Sequence, residues 1–260
     1  MCIIAIKPMG KKMFDDNTIK TMFINNPDGA GYMYYDRATK KVCIKKGFMT
    51  CTGLLDSLHS KDFTDTNLIL HFRIGTSGLN DKLNCHPYPL YQINDTKCSC
   101  ELAMAHNGIL KEFTPPKDSK INDTQTFIKE VLNNLKKGFL FDSDKVMLIQ
   151  KLIGTNKLAF LTDKNQVLTM GNFITDDGYQ FSNDSYHPRS LYYTHTKSVY
   201  KTIAEAKGNT KSVSKATKSS ESDSKCVSKT YKLDKQDKAI WDDYEPNEFW
   251  DYWDAKYPWD

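Results

Sequence analysis

The chain opens on an apolar run, Ile3-Ile4-Ala5-Ile6, directly behind Met1-Cys2. A β-branched run at that place predicts a buried strand, one that fixes a terminus which in most chains frays. Asp15 to Asn25 carries Ile19, Met22 and Phe23 at the i, i+3, i+4 spacing of an amphipathic helix. The stretch Asn26-Pro27-Asp28-Gly29-Ala30-Gly31 forces a turn. Tyr32 to Asp36 and Val42 to Phe48 read as a hairpin closed by Arg37 to Lys41. Thr52 to Ser60 reads as a helix. Asn67 to Ile74 is a nearly continuous apolar strand, and Gly75 to Pro89 a loop. Leu102 to Leu110 reads as a strand through His106-Asn107-Gly108. Asn122-Asp123-Thr124 caps an amphipathic helix over Phe127 to Leu135. Lys145 to Ile153 reads as a further helix. Lys157 to Thr162 and Val167 to Asn172 form a second hairpin. Short strands are predicted at Tyr179 to Phe181 and Leu191 to Tyr193, and a closing helix at Ser198 to Ala206. Hairpins, then helices, then hairpins, with little βαβ alternation, predict an α+β fold of antiparallel sheets layered with helices.

Composition adds boundaries. Apolar residues cluster in roughly the first 205 positions. From Lys207 to Asp237 Lys and Ser dominate, the signature of a flexible linker. All four Trp of the chain (Trp241, Trp250, Trp253 and Trp259) fall in the last stretch, interleaved with Asp and Glu. The expected organisation is a folded domain over 1–206, a linker over 207–237 and an acidic aromatic tail over 238–260. Such a tail has the composition of a protein-docking segment, since aromatics dominate binding hot spots. A net charge of +4 is too small to argue for nucleic acid. Seven Cys without regular spacing, and no signal-peptide pattern before them, point to free thiols in a reducing, cytoplasmic setting. No apolar run approaches the roughly 20 residues of a membrane span.

The candidate chemistry starts at Cys2. With Met1 removed, one residue carries a thiol and a free α-amino group, with reference pKa values of about 8.5 and about 7.7–8.0. The amine can then take the thiol proton near neutral pH. Alone, a Cys at position 2 is more often a small buried hydrophobe than a nucleophile. Arg73, at the end of a buried strand and followed by small polar residues, can grip a carboxylate with two parallel hydrogen bonds, or be a surface charge. Asp123 sits at a helix start, where a carboxylate is favoured with or without a ligand. Asn107-Gly108 can hold an oxyanion or be an ordinary turn. His71, His86 and His106, with Cys85, Cys98 and Cys100 nearby, reproduce no zinc spacing, so neither metal nor cofactor is expected.

Four stretches carry a resemblance when taken in order behind Cys2. They are Asn26-Pro27-Asp28-Gly29-Ala30-Gly31, His71-Phe72-Arg73-Ile74-Gly75-Thr76-Ser77-Gly78, Ala105-His106-Asn107-Gly108-Ile109-Leu110 and Asn122-Asp123-Thr124. Over roughly residues 1 to 200 the chain resembles class II glutamine amidotransferases, the N-terminal-nucleophile glutaminase domains, and in particular the free-standing glutaminase-like proteins of phage genomes. The resemblance implies a four-layer α/β/β/α sandwich of two antiparallel sheets, the Ntn-hydrolase fold. It implies Cys2 as nucleophile, with the Asn107 amide and the Gly108 N–H as oxyanion hole. Arg73 would bind the α-carboxylate of L-glutamine, with Thr76 and Ser77 lining the same pocket, and Asp123 the α-amino group. The Pro27-Asp28-Gly29 turn would be mainly structural. A γ-glutamyl thioester would form and hydrolyse, and the ammonia would pass to a second active site.

The sequence departs from that pattern in two places. Ile3 stands where the family usually has Gly after the nucleophile. No synthase domain is recognisable after about residue 206, so an ammonia-accepting synthetase would act in trans; no propeptide is recognisable before Cys2. Three alternatives share the motifs: a related amide hydrolase without ammonia transfer, a non-catalytic descendant kept as a structural or interaction protein, and a phage component using the same site in host interference or nucleotide modification.

Overall fold

The computed structural model describes residues 2–76 and 78–188. The predicted strand at 191–193, the helix at 198–206, the linker at 207–237 and the tail at 238–260 lie outside the described residues, as do Met1 and Ser77.

Eleven strands and four α-helices are described. In chain order they are β1 (Ile3–Lys7), α1 (Asp16–Asn25), β2 (Ala30–Asp36), β3 (Lys41–Phe48), α2 (Cys51–His59), β4 (Leu68–Phe72), β5 (Tyr88–Pro89), β6 (Lys97–Cys100) and β7 (Leu102–Asn107). They continue with α3 (Asp123–Glu130), α4 (Ser143–Ile153), β8 (Lys157–Thr162), β9 (Val167–Met170), β10 (Ile174–Asp176) and β11 (Tyr179–Phe181). One sheet has the order β10-β11-β1-β4-β2-β3-β6 and the other β5-β7-β8-β9. Every pairing in both is antiparallel.

Three apolar clusters separate four layers. Ile19, Met22 and Phe23 of α1 and Leu54, Leu55 and Leu58 of α2 pack on Ile3, Ala5, Tyr32, Leu70 and Phe72 of the large sheet. Phe127 and Ile128 of α3 and Ile149 and Ile153 of α4 pack on Met104, Leu158 and Phe160 of the small one. Between the sheets, Ile4, Ile6, Met33 and Ile69 meet Ala103, Ala105, Ala159 and Leu161. The period of two along each strand sends alternate residues to opposite layers, so Ile3 and Ile4 serve different cores. This is the four-layer α/β/β/α sandwich that the resemblance implied.

The first strand lies in the middle of the large sheet, between β11 and β4. Ile3, Ile4 and Ala5 have no solvent exposure. Burying each isoleucine is worth about 1.5–3 kcal/mol, so the start of the chain is tied down as predicted.

Several predicted bounds shift. The strand predicted over 67–74 stops at Phe72, which puts Arg73 one residue beyond it. The strand predicted over 102–110 ends at Asn107. The helix predicted over 127–135 starts at Asp123, capped by Asn122, and passes into a 3-10 turn at Leu132–Asn134. Asn122 is therefore the cap and Asp123 already the first helical residue. β6, β10 and the two-residue β5 carry too little apolar alternation to be predicted.

Gly31 is where backbones approach most closely in the large sheet. An added Cβ would lie 2.3 Å from the His86 carbonyl oxygen and 2.8 Å from Lys46 Cα, both backbone atoms. Gly31→Ala therefore overpacks the β2–β3 contact at a cost of about 1–3 kcal/mol, readable as a lower denaturation midpoint at unchanged m-value.

Candidate active site

Antiparallel register builds the first half of the site. Ile3 pairs with Phe72, so the next residues outward, Cys2 and Arg73, emerge side by side from the centre of the sheet. The Ile74 N–H donates to Cys2 Sγ at 3.2 Å, and the thiol lies 3.5 Å from the Ile74 carbonyl oxygen. Burial raises the Cys2 pKa above the ordinary thiol value, against the pull of the Ile74 N–H and the Arg73 charge. The thiol thus rests protonated and needs a base beside it to react near neutral pH.

The Pro27-Asp28-Gly29 turn holds the loop behind Arg73. Asp28 N–H donates to the Arg73 carbonyl at 3.0 Å and Arg73 N–H to the Gly29 carbonyl at 2.8 Å. The Asp28 carboxylate accepts from Gly75 N–H at 2.7 Å and from Asn80 Nδ2 at 3.3 Å. The Arg73 side chain, 2% exposed, donates from Nη1 to Asn80 Oδ1 at 2.8 Å and from Nη2 to the Leu79 carbonyl at 3.1 Å. The guanidinium is therefore preorganised, with its fork directed at two neutral oxygens.

The second half comes from the small sheet. Gly108 follows β7 at φ +142°, and a Cβ there would fall 1.7 Å from Asn156 Oδ1. Only glycine fits, which fixes the course of the backbone beside the Gly108 N–H. Asp123 is buried in the first turn of α3, and its Oδ2 accepts from Leu110 N–H at 2.8 Å.

Cys2, Arg73, Ile74, Thr76, Gly108 and Asp123 line one cleft. Five of the seven residues picked from the sequence are thus brought together. Asn107 is not among the lining residues: its side chain turns inward, Nδ2 donating to Ser182 Oγ at 2.9 Å. The seventh, Ser77, lies outside the described residues. The cleft holds about 20 Å³ of open space, room for little more than one water.

Sequence reasoning missed Ser182 and Asn183. Asn183 Nδ2 donates to the Cys2 carbonyl at 2.7 Å, and Ser182 exchanges backbone and side-chain bonds with Ile4. No motif marks them; they act on residues about 180 positions earlier in the chain, and only the β1–β11 pairing brings them there.

It also missed what the three histidines do. His71, His86 and His106 are buried, His86 and His106 among the residues that line the cleft, with His71 and His86 ring centroids 4.1 Å apart. Thr124 Oγ1 lies 3.2 Å from His86 Nε2 and 2.8 Å from His106 Nδ1, and His71 Nε2 lies 3.0 Å from the His106 carbonyl. Burial pushes His71 down to about 3 and holds His86 and His106 below the ordinary imidazole value. As pH falls below about 6.5 the unfolded chain binds protons that the folded chain does not, so stability is full above that pH and is lost on acidification. The expected loss between pH 7 and 5 is at least about 2 kcal/mol by urea titration, with a shallower pH slope in His71→Asn.

With the geometry in place, comparison with known proteins decides the family. A family model described as class II glutamine amidotransferases matches residues 18–259. The chain belongs to this family. Among solved structures, one described as that of the allosteric regulatory enzyme of purine biosynthesis matches at 16% identity and a TM-score of 0.45, covering 70% of this chain and 41% of that one. The chain thus spans less than half the length of that relative. No curated protein sequence matches it. As a class II glutamine amidotransferase the protein has the Ntn-hydrolase sandwich implied by its motifs, and glutamine amide chemistry is the activity of its family. Among the described residues no helix is long and apolar enough to cross a membrane.

Proposed function

We propose that the chain is a glutaminase of the amidotransferase type, active once Met1 is removed, which supplies ammonia to a separate synthetase. The observation that carries this reading is the shared cleft: Cys2, Arg73, Thr76, Gly108 and Asp123 line one space. A free amino acid with a side-chain amide needs that set: a cation for its carboxylate, an anion for its ammonium, and a thiol with an oxyanion donor at its far end.

The α-amino group of Cys2 takes the thiol proton, and the thiolate attacks the side-chain carbonyl carbon of glutamine. The carbonyl electrons move onto oxygen, where the Gly108 N–H and the Asn107 amide stabilise the oxyanion. Collapse breaks the carbon–nitrogen bond, and the proton on the α-amine goes to the leaving nitrogen, releasing ammonia. Water, losing a proton to the same amine, opens the γ-glutamyl thioester. Glutamate leaves and the thiol is restored. The carboxylate of glutamine takes the place of Asn80 Oδ1 and the Leu79 carbonyl on Arg73, and the cleft widens as this loop yields. The motif match assigns Ser77, with Thr76, to binding the same substrate. The linker over 207–237 and the acidic aromatic tail over 238–260 have the composition to reach and dock the synthetase, and the resemblance to phage glutaminase-like proteins fits this reading.

One observation favours a second reading, a non-catalytic descendant: Arg73 is engaged by the protein's own loop and the cleft is small. Intact-mass spectrometry with a glutamine-derived electrophile, paired with a glutamate-release assay, separates the two. Loss of Met1, one adduct on Cys2 and glutamate release support the glutaminase. A retained Met1 and an unmodified Cys2 support the second reading.

A further inference from the structure

Ser182, just past β11, has no solvent exposure and joins both halves of the site. Its N–H donates to the Ile4 carbonyl at 2.9 Å, and its Oγ accepts from Ile4 N–H at 2.8 Å. The same Oγ lies 2.9 Å from Asn107 Nδ2. Ile4 is two residues after the candidate nucleophile, and Asn107 carries the candidate oxyanion amide. One hydroxyl therefore spans the two sheets where acyl transfer would occur.

Donors and acceptors are mismatched in this arrangement. A hydroxyl oxygen has two lone pairs and one proton. Two N–H groups fill both lone pairs of Ser182 Oγ, and the hydroxyl proton is not directed at Asn107. Meanwhile Asn107 Oδ1 is buried without a partner among the described residues. Burying an acceptor unpaired is unfavourable. The two ends of a carboxamide have nearly the same shape, so a half-turn about Cβ–Cγ exchanges them without new packing. After that half-turn Oδ1 faces Ser182 Oγ and accepts its proton, while Ile4 N–H keeps its lone pair. Nδ2 then takes the buried position of the unpartnered oxygen, so the turn gains the hydrogen bond from the Ser182 proton and leaves the amide N–H groups to be paired only by an acceptor that forms during reaction.

We propose that Ser182 is a positioning residue, whose hydroxyl proton holds the Asn107 carboxamide turned over so that Nδ2–H is presented to the oxyanion. The inference rests on the glutaminase reading and deepens it. Ser182 itself touches neither substrate nor thiol.

The test is a double-mutant cycle on the full chain with Met1 removed, using wild type, Ser182→Ala, Asn107→Ala and the double variant, with glutamine as substrate. Removing one oxyanion donor costs about 10²–10³ in kcat, so mispositioning it in Ser182→Ala costs about 10–100-fold in kcat with little change in KM. Because both variants remove one interaction, the double variant is no slower than Asn107→Ala alone. Alkylation of Cys2 by iodoacetamide, which forms no oxyanion, proceeds in Ser182→Ala as in wild type. Ser182→Cys, which keeps the volume and a weak donor, falls between; it also carries the test should the alanine variant not fold. Multiplying effects in the double variant, or alkylation lost in step with turnover, overturns the inference. A wild-type chain that releases no glutamate counts against the glutaminase reading instead. Nuclear Overhauser contacts of the Asn107 Nδ2 protons in the wild-type chain then decide the positioning claim: a short contact to the Ile4 amide proton, which shares Ser182 Oγ, overturns it, and its absence supports it.

Discussion

Cys2→Ala lowers glutamate release by at least about 10⁴-fold, since loss of a covalent nucleophile costs on that order or more. Among the described residues the sulfur's hydrogen-bond contacts are with the Ile74 backbone, and the substitution removes a single heavy atom, so the fold and its melting temperature change little. A chain carrying a non-removable Gly-Ser extension ahead of Cys2 loses turnover to a similar extent. It keeps the sulfur and removes only the free amine. That pair of variants separates nucleophile from base: Cys2→Ala takes no electrophile, whereas the extended chain is still alkylated at high pH, where its buried thiol ionises. Turnover within tenfold of wild type in either variant would sink the mechanism.

The second large effect is at Arg73. Arg73→Ala raises KM for glutamine by about 10²–10³-fold, the range for truncating one partner of a buried, hydrogen-bonded charge pair. Arg73→Lys recovers little, because a point charge cannot reproduce the two-pronged fork. The control is a simple aliphatic amide without a carboxylate, on which wild type and variant differ little. A substrate-independent loss would instead mark Arg73 as a support for Leu79 and Asn80. Some stability is lost as well, about 1–3 kcal/mol, because the Leu79 carbonyl and the Asn80 amide lose their donor.

The sequence was most legible where one local pattern carried the information. Ile3 to Ile6, the Tyr32 to Phe48 hairpin, the α1 face of Ile19, Met22 and Phe23, and the Lys157 to Met170 hairpin all stand where their periodicity put them. Elements failed to show where they lean on a neighbour. β6 is Lys97-Cys98-Ser99-Cys100, an edge strand with little apolar face, held by backbone bonds to β3. β10 likewise exists through its pairing with β11. The cap at Asn122 to Thr124 is legible, but the predicted helical run begins at Phe127 because the polar stretch Asn122 to Thr126 hides its period, while three of those five residues are buried.

The chain by itself determined the family, the layered antiparallel class, and a short set of residues of which five line one cleft. It could do so because strand alternation, turn residues and motif order are properties of near neighbours. Only the tertiary structure decided that β1 runs in the middle of its sheet, that Cys2 emerges beside Arg73, and that Ser182 and Asn183 clasp a strand about 180 residues away. It also decided that Arg73 is held by its own loop and that three histidines are buried together at the cleft, where burial lowers their pKa. These are matters of register and burial, which arise when distant segments exclude water together, and no local stretch of sequence records which partner it will meet.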